Sequence, residues 1–116
     1  MSPTAAQLNT EAMRADAQLL LAPGVDAPSE DGLSELTLRL RGHIMQLTPA
    51  VERAMAAHPH NDHVWANALD STTRAGFRLF EEPPNGSLTQ AIAYAQRLAR
   101  AVVALTDALA ALEEAQ

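Results

Sequence analysis

From residue 88 to residue 112 the chain places Leu88, Ala91, Ala95, Leu98, Val102, Leu105, Leu109 and Leu112 at alternating steps of three and four. Only an α-helix brings such a series onto one side of the backbone, and a stripe of that length must be covered by other apolar surface. Ser87 and Gln90 stand where a capping box would start this helix, and Pro83-Pro84-Asn85-Gly86 isolates it from what precedes. The chain is thus committed to packing helix on helix.

Three further stretches supply partners. Leu33, Leu36, Leu40, Ile44, Leu47, Val51 and Met55 form a second long stripe, begun by acids near Ser29 to Asp31 and ended before Pro59. Pro49 falls inside it, predicting a kink near that residue or a break restarting with Thr48 as cap. A third helix is predicted from Asn61 or Asp62 to Glu82, with Trp65, Ala68, Leu69, Thr72, Gly76, Leu79 and Phe80 inward. A first is predicted from Ser2 to Ala22, with Ser2 as cap, Pro3 at its first position, and Ala5, Leu8, Ala12, Ala15, Leu19 and Ala22 as its inner face. Pro23-Gly24 ends that helix. Short links between long helices impose antiparallel neighbours, so the expected fold is an all-α antiparallel bundle of about four helices, one domain over residues 1–116. With 47% apolar and 3% aromatic residues, the core must be leucine and alanine.

Charge and composition exclude several functions. There is no cysteine, which removes disulfides, thiolate nucleophiles and thiolate-ligated metal. The net charge is −6, distributed as −5 over residues 1–35, +2 over 36–80 and −3 over 81–116, so no cationic stripe exists for duplex nucleic acid. All eight basic residues are arginine, a bias that GC-rich coding explains as simply as function does. Glu11, Arg14 and Asp16 interrupt any secretory leader, and no run reaches the ~18 apolar residues of a membrane span, so a cytoplasmic location is expected.

No Glu-x-x-His pair, His-Glu-x-x-His motif, nucleophile elbow or phosphate-cradling glycine loop is present. The sequence therefore calls for no cofactor and leans away from catalysis. His58, His60 and His63, with Asp62 among them, crowd metal-type donors into six residues. They flank a proline turn that offers no second shell, so a solvated hairpin is the preferred reading. Reflection about Pro59 sets Gly42 level with Gly76, which favours close packing of two helices or leaves room for Phe80 or a ligand. Arg41, His43, Arg74 and Arg78 could then share one rim suited to a carboxylate. Ion pairs with Glu52, Asp70, Glu81 or Glu82, and a boundary histidine bonded to a neighbouring helix, are the simpler expectation.

From Ala101 to Leu112 only Thr106 and Asp107 are polar. A helix apolar all round is either central or covered, which makes Val103, Ala104, Ala110 and Ala111 a candidate surface for a second copy of the chain or another protein. Harmless surface alanines are the competing explanation.

The run Leu40-Arg41-Gly42-His43-Ile44, followed by Leu47, Pro49, Val51 and Glu52, resembles the signature of an uncharacterised actinobacterial family of small helical proteins of unknown function. Arg74 and Arg78, and Arg97-Leu98-Ala99-Arg100 with Val102, Ala104 and Leu105, are similar to the rest of that pattern, over about residues 36–106. The first helix and the hairpin histidines have no counterpart in it. The resemblance implies a loose association with natural-product biosynthesis and no particular chemistry. A non-catalytic interaction or accessory module is the expected role, and a small-molecule-binding or catalytic bundle with an Arg/His-lined pocket between helices two and three is the alternative.

Overall fold

The computed structural model describes residues 8–24, 26 and 28–115. Four helices follow in order: α1 Thr10–Leu21, α2 Glu30–Ala56, α3 His63–Phe80 and α4 Leu88–Glu114. Each begins at a polar side chain that takes up an otherwise orphaned backbone N–H: Asn9, Ser29, Asp62 and Ser87. At α4 the Ser87–Gln90 capping box forms in both directions. Gly24, at φ 79°, turns the chain after α1 through a conformation that a side chain would resist. The expected Ser2 cap, Pro3 and Ala5 lie outside the described residues, and α1 starts at Thr10 rather than at Ser2.

The layout is a helical bundle with α4 in the middle. It packs against α1, α2 and α3, most extensively against α2. Eleven of its residues are buried, from Tyr94 to Leu112, and three helical neighbours account for most of its apolar circumference. The predicted α2 stripe is buried in full, from Leu33 to Met55. At ~1.5 Å per residue its 27 residues run nearly the length of the molecule, whose long axis is 44 Å.

Pro49 sits inside an uninterrupted α2, so neither a break nor a cap at Thr48 occurs. The Thr48 hydroxyl instead donates to the Ile44 carbonyl (2.8 Å) within the same helix. Pro49 is exposed, and its ring stands clear of the core.

One helix buries a different face from the one predicted, and another buries the predicted face only in part. In α1 the buried residues are Met13, Ala17 and Leu20, while Ala12, Ala15 and Leu19 face outward. The two stripes are neighbours on the helix, and the one carrying Met13 and Leu20 removes more apolar surface from water. In α3 the expected Ala68 and Thr72 are buried, joined by Ala75, and the expected Trp65 and Leu79 pack partly against the core, but Leu69 and Phe80 are exposed. Small side chains let α3 lie close against α4, and Leu69, Phe77 and Phe80 are left outside. Gly42 and Gly76 do not mediate close packing: a Cβ built at either would find nothing within 4 Å. Among the described residues no helix is long and apolar enough to cross a membrane.

Candidate functional site

The four residues expected to share one rim are placed apart. His43 turns toward α1, where its Nε2–H donates to Asp16 Oδ2 (2.7 Å). Arg39 joins it, with Nη2 and Nε on the two carboxylate oxygens (3.2 and 3.3 Å). Burial pushes the Asp16 carboxyl up, but the hydrogen bonds from His43 and Arg39 outweigh it and hold the group below its ordinary value. This clasp fastens α1 to α2. On the opposite flank of α1, Arg14 reaches α4, donating to Asp107 (2.6 Å) and to the buried Thr106 hydroxyl (2.8 Å).

Arg41 points to a different flank of α2. Its Nη1 donates to the Tyr94 hydroxyl (3.0 Å) and its Nη2 to the Leu79 carbonyl (3.2 Å), so one half-buried guanidinium joins α2, α4 and the last turn of α3. A cation on a helix's final carbonyls also suits the dipole. Beside it lies an open groove of about 640 Å³ between the first half of α2, the Pro83–Ser87 link and the start of α4, with Leu38 and Leu88 on its walls.

Arg74 and Arg78 face α4. Arg74 Nε pairs with Asp70 (2.9 Å), and Arg78 donates to Glu81 (3.4 Å). Glu81 also receives Arg97 through Nη2 (2.6 Å) and Nε (3.4 Å), and the same Arg97 guanidinium lies 5.9 Å from the Tyr94 ring centroid. The Arg97 hydrogen bond is the main reason the Glu81 carboxyl sits below its usual range, against burial, with Arg78 adding to it. Arg74, Arg78, Arg97 and Arg100 together line a groove of about 330 Å³ completed by Ser71, Ala101 and Ala104. These are the four arginines of the α3 and α4 pattern in the sequence, and the residues that join Arg74 and Arg78 are Arg97 and Arg100 rather than Arg41 and His43.

The hairpin histidines also separate. His58 is buried, not solvated, and its Nε2 lies 3.1 Å from Asp62 Oδ2. The other oxygen of Asp62 caps α3 by accepting from Val64 N (2.9 Å), and that backbone bond, then His58, lowers the Asp62 pKa. His63 is exposed beside Asp62 (3.3 Å), while His60 stacks on Trp65 with ring centroids 4.6 Å apart. Among the described residues no three His, Asp or Glu side chains gather as metal ligands would.

On α4, Val103 packs partly against the core, Ala104 and Ala111 line grooves facing α3, and Ala110 is exposed. The larger apolar surface lies elsewhere, where the sequence reading did not place it. Leu69 shares a small pocket with Glu52, Met55 and Ala56 of α2, which fixes the side on which the two helices meet. Helical periodicity carries that side from Glu52 to Met45 and Leu38, and from Leu69 to Gly76 and Phe80, with Gly42 and Phe77 roughly 80° further round their helices. Phe80 is 89% exposed, Leu38 71%, Phe77 67% and Met45 56%. Both phenylalanines of the chain thus stand in water.

No curated protein and no solved structure matches the chain. The model of a family of unknown function (DUF6415) matches residues 11–114, which takes in α1 as well as the three later helices that the sequence pattern resembled. The chain belongs to that family of unknown function.

Proposed function

We propose that this chain is a non-catalytic helical docking module, working in the biosynthetic or regulatory setting that the sequence resemblance implies. The reading rests on Leu38, Met45, Phe77 and Phe80, each exposed and set by helical periodicity on the outer surface of the α2–α3 pair. Single exposed apolar residues need no explanation, but a row of four large ones on adjoining helices is the usual mark of a contact surface. Gly42 and Gly76 support it. A glycine inside a helix costs ~1 kcal/mol relative to alanine, and neither has a close neighbour within the monomer to justify it. A second chain approaching closely would give both a purpose.

The occupant proposed is a second copy of the chain. Two antiparallel helices form a face whose apolar rows can oppose themselves across a two-fold axis, the commonest way soluble chains associate. From Leu38 to Glu52 the face is ~21 Å long, and two helix widths make it ~20 Å across. That is roughly 400 Å² in projection, below the ~800 Å² per partner of a standard interface, so the dimer is weak and concentration-dependent. The end of α4 around Ala110 is the competing surface for the same role.

Sedimentation of the full chain over a wide concentration range tests this. Phe77→Ser with Phe80→Ser should abolish the dimer while leaving the fold intact, because neither ring is in the core. Strictly monomeric behaviour at every concentration overturns the second-copy reading. So does a dimer that survives the Phe substitutions and is lost in Ala110→Glu.

A further inference from the structure

We propose that the arginine-lined groove between α3 and α4 is a binding site for a small phosphate-bearing molecule, a phosphate monoester in its dianionic form. Half of the chain's eight arginines converge there, in a protein whose net charge is −6. Like charges gather in an acidic protein only where something offsets them. Two carboxylates do so in part.

The register of the two helices arranges the arginines in two rungs. Ser71 and Ala104 line both this groove and the next one along, so they mark the same level. One turn further, Arg74 of α3 comes level with Arg100 and Ala101 of α4. A turn beyond that, Arg78 and Arg97 meet on Glu81. In the second rung Arg97 is committed through Nε and Nη2, and Glu81 serves as a fixed counter-charge for two guanidiniums. In the first rung Arg74 uses Nε on Asp70, and Arg100 has no carboxylate partner among the described residues. Four cations against Asp70 and Glu81 leave two positive charges unmatched, which equals the charge of a phosphate monoester above its second ionisation.

The geometry also favours phosphate over a monocarboxylate. Guanidinium forks offer paired donors, and a phosphate has three peripheral oxygens with which to engage forks from two helices at once, where a carboxylate has two. The Ser71 hydroxyl adds a donor, and Ala101 and Ala104 keep the floor clear of longer side chains. At about 330 Å³ the space is at the small end of ligand sites, enough for a phosphate with a compact organic group. The exposed pair Arg74 and Arg100 makes the first contact, and the Arg78–Glu81–Arg97 rung is the preset wall behind it.

Inorganic phosphate is the probe, titrated at low ionic strength against the full chain and followed by amide chemical shifts and by thermal stability. The expected result is saturable binding with shifts confined to residues 71–78 and 97–104. Removal of each contacting guanidinium should weaken binding by a factor of about ten or more, as lost charged hydrogen bonds do. Arg74→Gln with Arg100→Gln should do this without lowering the melting temperature of the phosphate-free protein, since both side chains are exposed. Arg53→Gln, an exposed arginine outside the groove, should leave binding unchanged. The proposal is overturned if sodium chloride at matched ionic strength gives the same response, or if the double variant binds phosphate as the parent does. Succinate binding as tightly as phosphate, or polyglutamate binding more tightly at the same residues, would also overturn it, by assigning the groove to carboxylates or to an acidic protein segment.

Discussion

Replacing Gly42 and Gly76 by alanine separates two pictures of how α2 and α3 meet. If the glycines let the helices approach, each new methyl collides with the facing backbone and the protein loses stability. The structure gives the opposite sign. Neither glycine has a positive φ, both lie inside helices, and a Cβ at either position reaches no atom within 4 Å. What remains is the intrinsic preference of a helix for alanine, ~0.8–1 kcal/mol per site, much of it from the unfolded chain's smaller loss of freedom. The sites share no contacts through the added methyls, so the double variant should gain roughly 1.6–2 kcal/mol. With an unfolding entropy of ~2.1 cal/mol/K per residue, 116 residues give ~0.24 kcal/mol/K, and the melting temperature should rise by about 7–8 °C. Calorimetry or circular dichroism should be run at the lowest practical concentration, because association through this side would add its own stabilisation to the parent and obscure the comparison. A melting temperature equal to or below that of the parent at such dilution refutes the reasoning and restores the glycines as a packing device.

Two further outcomes follow from local geometry. Pro49→Ala should stabilise the protein by ~1–3 kcal/mol, because the uninterrupted α2 regains one N–H donor for the Met45 carbonyl and loses a ring that opposes it; a lower denaturation midpoint in urea would contradict this. Asp16 governs part of the acid response. Its folded-state pKa lies below 3.8, so its contribution is complete above that value and fades as pH falls through the lower, folded-state one. The stability gap between the parent and Asp16→Asn, measured in urea at successive pH values, should therefore be constant near neutrality and narrow below pH ~4; a gap that stays constant into strong acid would remove the carboxylate from the account.

The sequence made the two long helices legible because in α2 and α4 residue size and residue spacing agree. Leu40, Ile44, Leu47 and Val51, and Leu98, Val102, Leu105 and Leu112, are both the periodic positions and the bulky ones, so one stripe outcompetes the rest. In α1 alanines occur at so many positions that two adjoining stripes have the same period, and the choice fell to Met13 and Leu20, which the alanine series omits. In α3 size points the wrong way. Ala68, Thr72 and Ala75 are buried and Phe77 and Phe80 are not, because a neighbour as central as α4 selects for closeness rather than bulk. The same error propagated to the polar residues. His43 and Arg41 are two positions apart in α2, yet they project to different neighbours, one to Asp16 on α1, which buries a different face from the one expected, and one to Tyr94 on α4. The arginine groove needed the α3–α4 register, which depends on how the link through Pro83 and Pro84 spans the gap and is not encoded in helical spacing.

These observations converge on α3. Its three buried residues are all small, so it is held close to the bundle, with Val64, Trp65 and Leu79 packing partly against the core, and its outer flanks stay open for other uses. One flank presents Phe77 and Phe80 with Leu38 and Met45 of α2; the other presents Arg74 and Arg78 with Arg97 and Arg100 of α4. A helix needed only for stability would turn its phenylalanines inward. Phe77 and Phe80 instead stay outside; the two proposals therefore involve one element, which gives a joint test. Arg74→Gln with Arg100→Gln should leave self-association intact, and the two Phe→Ser substitutions should leave phosphate affinity intact. If either set removes both properties while the helices remain folded, the two flanks are parts of one site that spans α3.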